Sequence, residues 1–222
     1  MKFSKFGIYL ILTLIFFGCA KEENFNNTST EVGISKVVFF PILSTKGDRL
    51  VILQPGATYT EQGATATLNN QPTQFTTTGT VDVTKPGIYS IAYEAKNEQG
   101  FSATDFRTVV VIASNVDANN FSGTYARHVG GAPNGQTSTW TKIANGVYTV
   151  VNPGGATGVT ATAVNYTGNL IAIPPQITEA GLFSSAITST SGIYYPTANP
   201  PKYDWAIVNP GYGTALRTFV KQ

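Results

Sequence analysis

Short runs of alternating apolar and polar residues, broken by Gly, Pro and Asn, recur along this chain from about residue 36 to its end. The period of two is that of β-strands with one buried face. In a first group, Lys36-Val37-Val38-Phe39-Phe40 opens and Arg49-Leu50-Val51-Ile52-Leu53 follows, with a turn at Gln54-Pro55-Gly56. In residues 87–93, Tyr89, Ile91 and Tyr93 share one face. Asn97-Glu98-Gln99-Gly100 makes a hairpin turn, and residues 107–113 form a strongly β-branched last strand. No stretch spaces its apolar residues three and four apart for long enough to predict a helix. Several short strands in so few residues predict a small sandwich.

Residues 114–120 are polar and read as a joint. A second β-rich group follows, with strands predicted over 121–127, 137–143, 147–151, 159–166, 169–173, 192–195, 204–209 and 215–220. Asn145-Gly146 between two β-rich runs is a strong hairpin signal. Pro- and Gly-rich stretches such as Asn199-Pro200-Pro201 separate the later strands. The expected class is all-β, with the second group an antiparallel sandwich or a small barrel.

The N-terminus follows another pattern. Lys2 and Lys5 precede an apolar run over 7–17, too short for a membrane-spanning helix but of signal-peptide length. The run ends Phe16-Phe17-Gly18-Cys19, and a small residue directly before Cys resembles the lipobox of bacterial lipoproteins, although Phe16 and Phe17 are bulkier than is usual. The resemblance implies a signal peptide over 1–18, a diacylglycerol thioether on Cys19 and a further acyl chain, such as palmitate, on its amino group. Several acyl chains anchor stably where one would not. Ala20-Lys21-Glu22-Glu23 looks like the surface-export signal of certain Gram-negative gut bacteria, which implies an outer-membrane protein facing the exterior. The polar remainder of 19–33 reads as a flexible tether.

The first β group carries a more extensive likeness. Gly56-Ala57-Thr58-Tyr59-Thr60-Glu61-Gln62-Gly63-Ala64, Lys85-Pro86-Gly87-Ile88-Tyr89, Gly100 and Arg107-Thr108-Val109-Val110-Val111 resemble the bacterial Ig-like domain of many surface proteins. This implies an Ig-like β-sandwich over 34–113, a module that usually acts as a spacer. The family often has Asp where Glu61 and Asn97 stand and Asn where Phe101 stands, so no calcium site is carried over; no acidic cluster supplies the six to eight oxygens of a Ca²⁺. Gly123-Thr124-Tyr125, Arg127 and Gly146-Val147-Tyr148 resemble the C-terminal domain of two-domain gut-bacterial lipoproteins, some of which accompany outer-membrane glycan-uptake systems. That domain would occupy 118–222.

Composition narrows the chemistry. Charged residues are only 12%, against the ~25% usual in soluble domains. Loss of Lys2 and Lys5 with the signal peptide takes the net charge of +2 to zero. A neutral chain without a Lys/Arg cluster lacks the footprint of a nucleic-acid binder. One His (His128) and one Cys cannot build a usual zinc site, so neither metal nor cofactor is expected. His128 has no serine elbow to serve, and reads as an exposed or locally bonded ring. Past Asp117 only Glu179 and Asp204 could form the carboxylate pair of a glycosidase; both stand in or beside predicted turns, where solvated acids are ordinary. No enzyme is expected.

Aromatic rings suit sugars, whose CH faces stack and whose hydroxyls meet a polar ring edge. Trp140 shares a face with Lys142, opposite Ile143, so Trp140 points outward if Ile143 is core. Trp205 shares a face with Ile207 and is expected inside. Tyr195, Tyr203 and Tyr212 stand near Pro/Gly loops. Trp140, Tyr195, Tyr203 and Tyr212 are therefore the candidate ligand-binding residues. The expected protein is a non-catalytic, lipid-anchored surface module that binds glycan or another polymer. The alternative is a structural or partner-binding subunit of an outer-membrane complex.

Overall fold

The structure, a computed structural model, describes residues 31–32, 35–180, 183–190 and 192–222. The expected signal peptide, Cys19 and most of the tether lie outside the described residues. The chain divides into two units, Met1–Phe39 and Phe40–Gln222. In the first, β1 (Glu31–Val32) pairs antiparallel with β2 (Ser35–Lys36).

The second unit begins with the strands β3 (Ile42–Thr45), β4 (Leu50–Leu53), β5 (Ala64–Leu68), β6 (Gln71–Pro72), β7 (Thr76–Thr78), β8 (Gly87–Lys96) and β9 (Ser102–Val111). They form a three-stranded sheet, β3-β5-β6, and a four-stranded sheet, β4-β9-β8-β7, in which only β4–β9 is parallel. The strand expected over 36–40 starts later, at Ile42, beyond Pro41. A buried arginine ties the strands together. Arg107 donates to the Asp48 carbonyl at 2.5 Å and to the Lys46 carbonyl, and its Nε lies 3.2 Å from Glu61 Oε1. Glu61 also accepts from the hydroxyls of Tyr59 and Tyr93 and from the Gly63 amide.

The remaining strands are β10 (Gly123–Val129), β11 (Ala132–Ala144), β12 (Val147–Val151), β13 (Thr160–Thr167), β14 (Leu170–Ala172), β15 (Gln176–Ala180), β16 (Phe183–Ser189), β17 (Gly192–Tyr195), β18 (Lys202–Val208) and β19 (Leu216–Lys221). Strands β10 to β14 pair each with the next, β14 pairs with β17, β17 with β18, β18 with β19, and β19 returns to β10. An eight-stranded antiparallel barrel closes. The β15–β16 hairpin is inserted between β14 and β17 and hangs on β18. Of the two architectures expected for this group, the barrel is the one adopted. The Asn145-Gly146 turn stands where predicted. Gly146 has φ of +65°, and a Cβ there would lie 2.6 Å from the Asn165 carbonyl.

A barrel of eight strands is just wide enough to be filled by side chains or to hold one small ligand. Here rings fill it: Tyr125, Trp140, Tyr148, Tyr203, Trp205 and Phe219 are all buried, with Phe121 and Tyr194 packed among them. Trp140 lies 5.2 Å from Trp205, ring centre to ring centre, and Tyr203 stacks on Phe219 at 4.9 Å. Threonines occupy the alternate positions of the wall, as at 139, 141, 149, 160 and 162.

The two β groups share a core. β9 is buried without a break from Arg107 to its end, which is why residues 107–112 are so rich in β-branched side chains. A strand covered on both faces needs no polar alternation. Val109 and Val111 face the sandwich, while Val110 and Ile112 pack with Val164 and Ala172 of the barrel wall. The joint takes part: Ser114–Val116 is a turn of 3₁₀ helix, Val116 is fully buried, and the Asn119 amide donates to Asn165 Oδ1. Ala113 N–H bonds to the Tyr166 carbonyl at 2.8 Å.

Candidate functional site

The four aromatic candidates do not gather at one surface. Trp140 was expected to point outward and instead is 2% exposed, deep in the barrel, while Ile143 is 58% exposed. The register accounts for the reversal. Trp140 pairs in unbroken register with Val150, itself buried, and with Gly123, which sets it on the inner face; Ile143, of opposite parity, is therefore outside and not core. Tyr203, expected at a loop, alternates with Trp205 and Ile207 on the inner face of β18 and is equally buried. Its hydroxyl, beside Ser138 and Trp140, has no well-placed hydrogen-bond partner among the described residues, and burial pushes its pKa up.

Tyr195 and Tyr212 remain partly exposed, but apart from each other. Lys202 Nζ lies 5.0 Å over the Tyr195 ring. Tyr212 packs against the barrel core, its ring held so close to the 152–155 turn that a Cβ on Gly154 would lie 2.5 Å from it. Trp205 is inside, as its parity with Ile207 predicts, and its Nε1 donates to the Pro153 carbonyl at 3.0 Å. His128 Nδ1 lies 3.1 Å from the Gly131 carbonyl within its own hairpin. Of Glu179 only the backbone is described, paired with Ser184. Among the described residues no group of three His, Cys, Asp or Glu could hold a metal.

What sequence reasoning missed is an apolar groove of about 520 Å³ between the Ig-like strands and the barrel. Phe106 supplies one wall. It projects from β9 away from the buried Asp105 and Arg107 and is 42% exposed. Ile177 of β15 and Val208 of β18 supply the other, also exposed, with Pro175 and Pro210 beside them. Every wall is braced. Arg49, at the rim, is held by a forked pair to Asp105, 2.8 Å at each carboxylate oxygen. Burial works to raise the Asp105 pKa, but hydrogen bonds from Thr45 and the Phe106 amide, with the Arg49 charge, hold it below the usual carboxylate range. Gln176 clamps β15 to β13 like a strand pair, accepting from Thr162 N–H at 2.9 Å and donating to the Thr162 carbonyl at 2.7 Å. Thr108 reaches across to the Pro175 carbonyl at 3.3 Å, and Asn209 donates to the Ala186 carbonyl at 2.9 Å. Among the described residues no carboxylate lines the groove.

With both parts in view, the chain can be set beside known proteins. Residues 43–111 match the family described as the Ig-like domain of bacterial surface proteins. This span lies inside the one where the sequence motifs placed such a domain. Among solved structures the chain is similar to the lipoprotein BT2262 from Bacteroides thetaiotaomicron, with 24% identity over 82% of this chain and 100% of that one, at a TM-score of 0.36. A search of curated proteins finds none that matches.

Proposed function

We propose that this protein is a non-catalytic component of a bacterial surface assembly, anchored by lipid on Cys19, that docks a partner protein through the groove around Phe106, Ile177 and Val208. The observation that carries the reading is the groove itself. Large apolar side chains stand exposed on a braced scaffold, and contiguous apolar surface rimmed by polar groups is where partner chains bind. The Ig-like strands supply one wall and the barrel the other, so both must be present for the site to exist. Glycan stacking is less well supported, because two of its four candidate rings lie in the barrel core. The outward-facing location rests on Lys21, Glu22 and Glu23 after the cysteine.

Two experiments test the parts separately. A photo-crosslinking residue at Phe106 or Ile177 in intact cells should form one discrete adduct, absent when the probe is at Ile143 and lost with Val208→Asp. The same adducts at Ile143, or none from the groove, would dismiss the docking site. For the anchor, a fatty-acid analogue should label the wild type and not Cys19→Ala; label retained by the variant would sink the lipoprotein reading.

A further inference from the structure

The end of the Ig-like sandwich away from the barrel carries three large apolar side chains in the open. Phe40 is 59% exposed, Ile42 65% and Phe101 49%. Phe40 and Ile42 flank the buried Pro41, so both stand on the outer side of the chain. The rings of Phe40 and Phe101 lie 5.0 Å apart, centre to centre, so the entry to β3 and the turn between β8 and β9 present one surface. The turn holds Phe101 in place. Asn97, itself buried, accepts from the Gln99 and Phe101 amides through Oδ1 at 3.1 and 2.8 Å, and donates its own N–H to the Phe101 carbonyl at 2.9 Å. A braced backbone therefore sets the exposure of this ring.

The position of the patch points to what covers it. β9 leaves the turn at Ser102 and reaches the barrel wall at Val110, continued by Ile112. At about 3.3 Å per residue the turn stands roughly 30 Å from the end of the strand. The same end receives the chain from Cys19, with residues 20–39 between that cysteine and Phe40. Twenty residues span at most about 70 Å, so a lipid on Cys19 keeps the body close to the bilayer. A surface too small to bind lipid from solution then acts at the effective concentration of a tethered one. Apolar rings on a polar scaffold sink into the boundary between headgroups and acyl chains. No cluster of Lys or Arg accompanies them: Lys96 is paired with Glu94 at 3.1 Å, and the exposed residue between Asn97 and Gln99 is the acid Glu98. The surface offers apolar area and not attraction to anionic lipid.

We propose that Phe40, Ile42 and Phe101 rest in the surface of the membrane that holds Cys19, so that the body is seated on the bilayer at two points. The proposal rests on the lipid anchor at Cys19. It gives the Ig-like strands a direction: β9 runs away from the bilayer and carries the groove at Phe106, and the barrel beyond it, clear of the lipid.

The test uses the lipidated chain, extracted from membranes and reconstituted into phosphatidylcholine vesicles whose acyl chains are brominated, which quenches an indole at contact. A Phe101→Trp probe should emit at shorter wavelength than in detergent and be quenched, equally at low and high salt. Trp140 and Trp205, buried in the barrel, give a constant background. An Ile143→Trp probe, at an exposed position on the barrel, should stay unquenched. Adding Phe40→Ser to the Phe101→Trp probe should lower the ratio of docked to free body about tenfold, since half a ring of apolar area is lost. A chain that takes no fatty-acid label and is still quenched at residue 101 would keep the patch and discard the anchor. A labelled chain that floats with the vesicles but is unquenched at residue 101, or is quenched equally at residue 143, would overturn the proposal. A blue-shifted yet unquenched probe would also overturn it, and would mean that another protein chain covers the rings.

Discussion

Replacing Trp140 with Ala should cost about 3–5 kcal/mol of folding stability, the usual range for deleting a large buried ring. Trp140 sits at the centre of the aromatic filling, with Tyr148, Tyr203 and Trp205 at ring-centre distances of 5.4, 5.2 and 5.2 Å and Phe121 at 6.4 Å. These neighbours come from β12, β18 and the start of the barrel, so none can move into the space without moving its own strand. The indole N–H lies beside the Tyr203 hydroxyl without a well-placed hydrogen bond, so what its removal forfeits is chiefly packing. Ile143→Ala, three residues along the same strand at the exposed bulge, should change stability by less than about 0.5 kcal/mol. Urea unfolding of the three proteins decides the matter. A loss below about 1 kcal/mol at Trp140 would mean that the ring is outside and the barrel filled differently.

Arg107→Ala should cost about 3 kcal/mol, the lower end of what breaking a buried ion pair costs, because Glu61 keeps some solvent contact. Two backbone carbonyls, of Lys46 and Asp48, would lose their donor as well. The variant should also respond less to acid. Burial tends to raise the Glu61 pKa, but hydrogen bonds from Tyr59, Tyr93 and the Gly63 amide, with the Arg107 charge, leave it lowered. Asp105 is lowered too. A depressed folded-state pKa gives stability that is present above the unfolded value, near 4 for carboxylates, and is lost as pH falls through the folded value. The wild type should therefore lose stability as pH drops below about 4. Without Arg107 the Glu61 share of that loss shrinks, while the Asp105 share stays. Thermal melts from pH 7 to pH 2 would show this; an unchanged acid limb in Arg107→Ala would mean that the pair contributes nothing to folding.

The two results bear on different halves of one body. β9 lends one face to the sandwich and the other to the barrel wall, so the partner groove is built on a strand that both cores hold. Phe106 is exposed just before that strand becomes covered on both sides. Its neighbours in the groove arrive by a different route, Ile177 on a hairpin inserted between β14 and β17 and Val208 at the end of β18.

Local chemistry along the chain was enough to determine the class and most of the strands. Period-two runs, Gly/Pro/Asn punctuation and the absence of helical spacing predict an all-β protein, and the Asn145-Gly146 turn, the β17 span and the Ig-like segment follow from short motifs. The β-branched run over 108–112 marked a last strand, but that both of its faces are covered came only from the fold. The β15–β16 hairpin was not legible, since Gln176–Ala180 and Phe183–Ser189 are neither strongly apolar nor marked by a turn motif. The larger gap concerns sides rather than strands. Alternation identifies which residues share a face, but a slip of one residue exchanges the faces, and nothing local says which is inside. For Trp140 that was decided by its pairing with Val150 and by closure of β19 onto β10, contacts between residues apart in sequence. The same closure brought Arg127 and Arg217 together from opposite ends of the barrel. Only the folded chain could pair them, because strand order, and not spacing along the sequence, sets who meets whom.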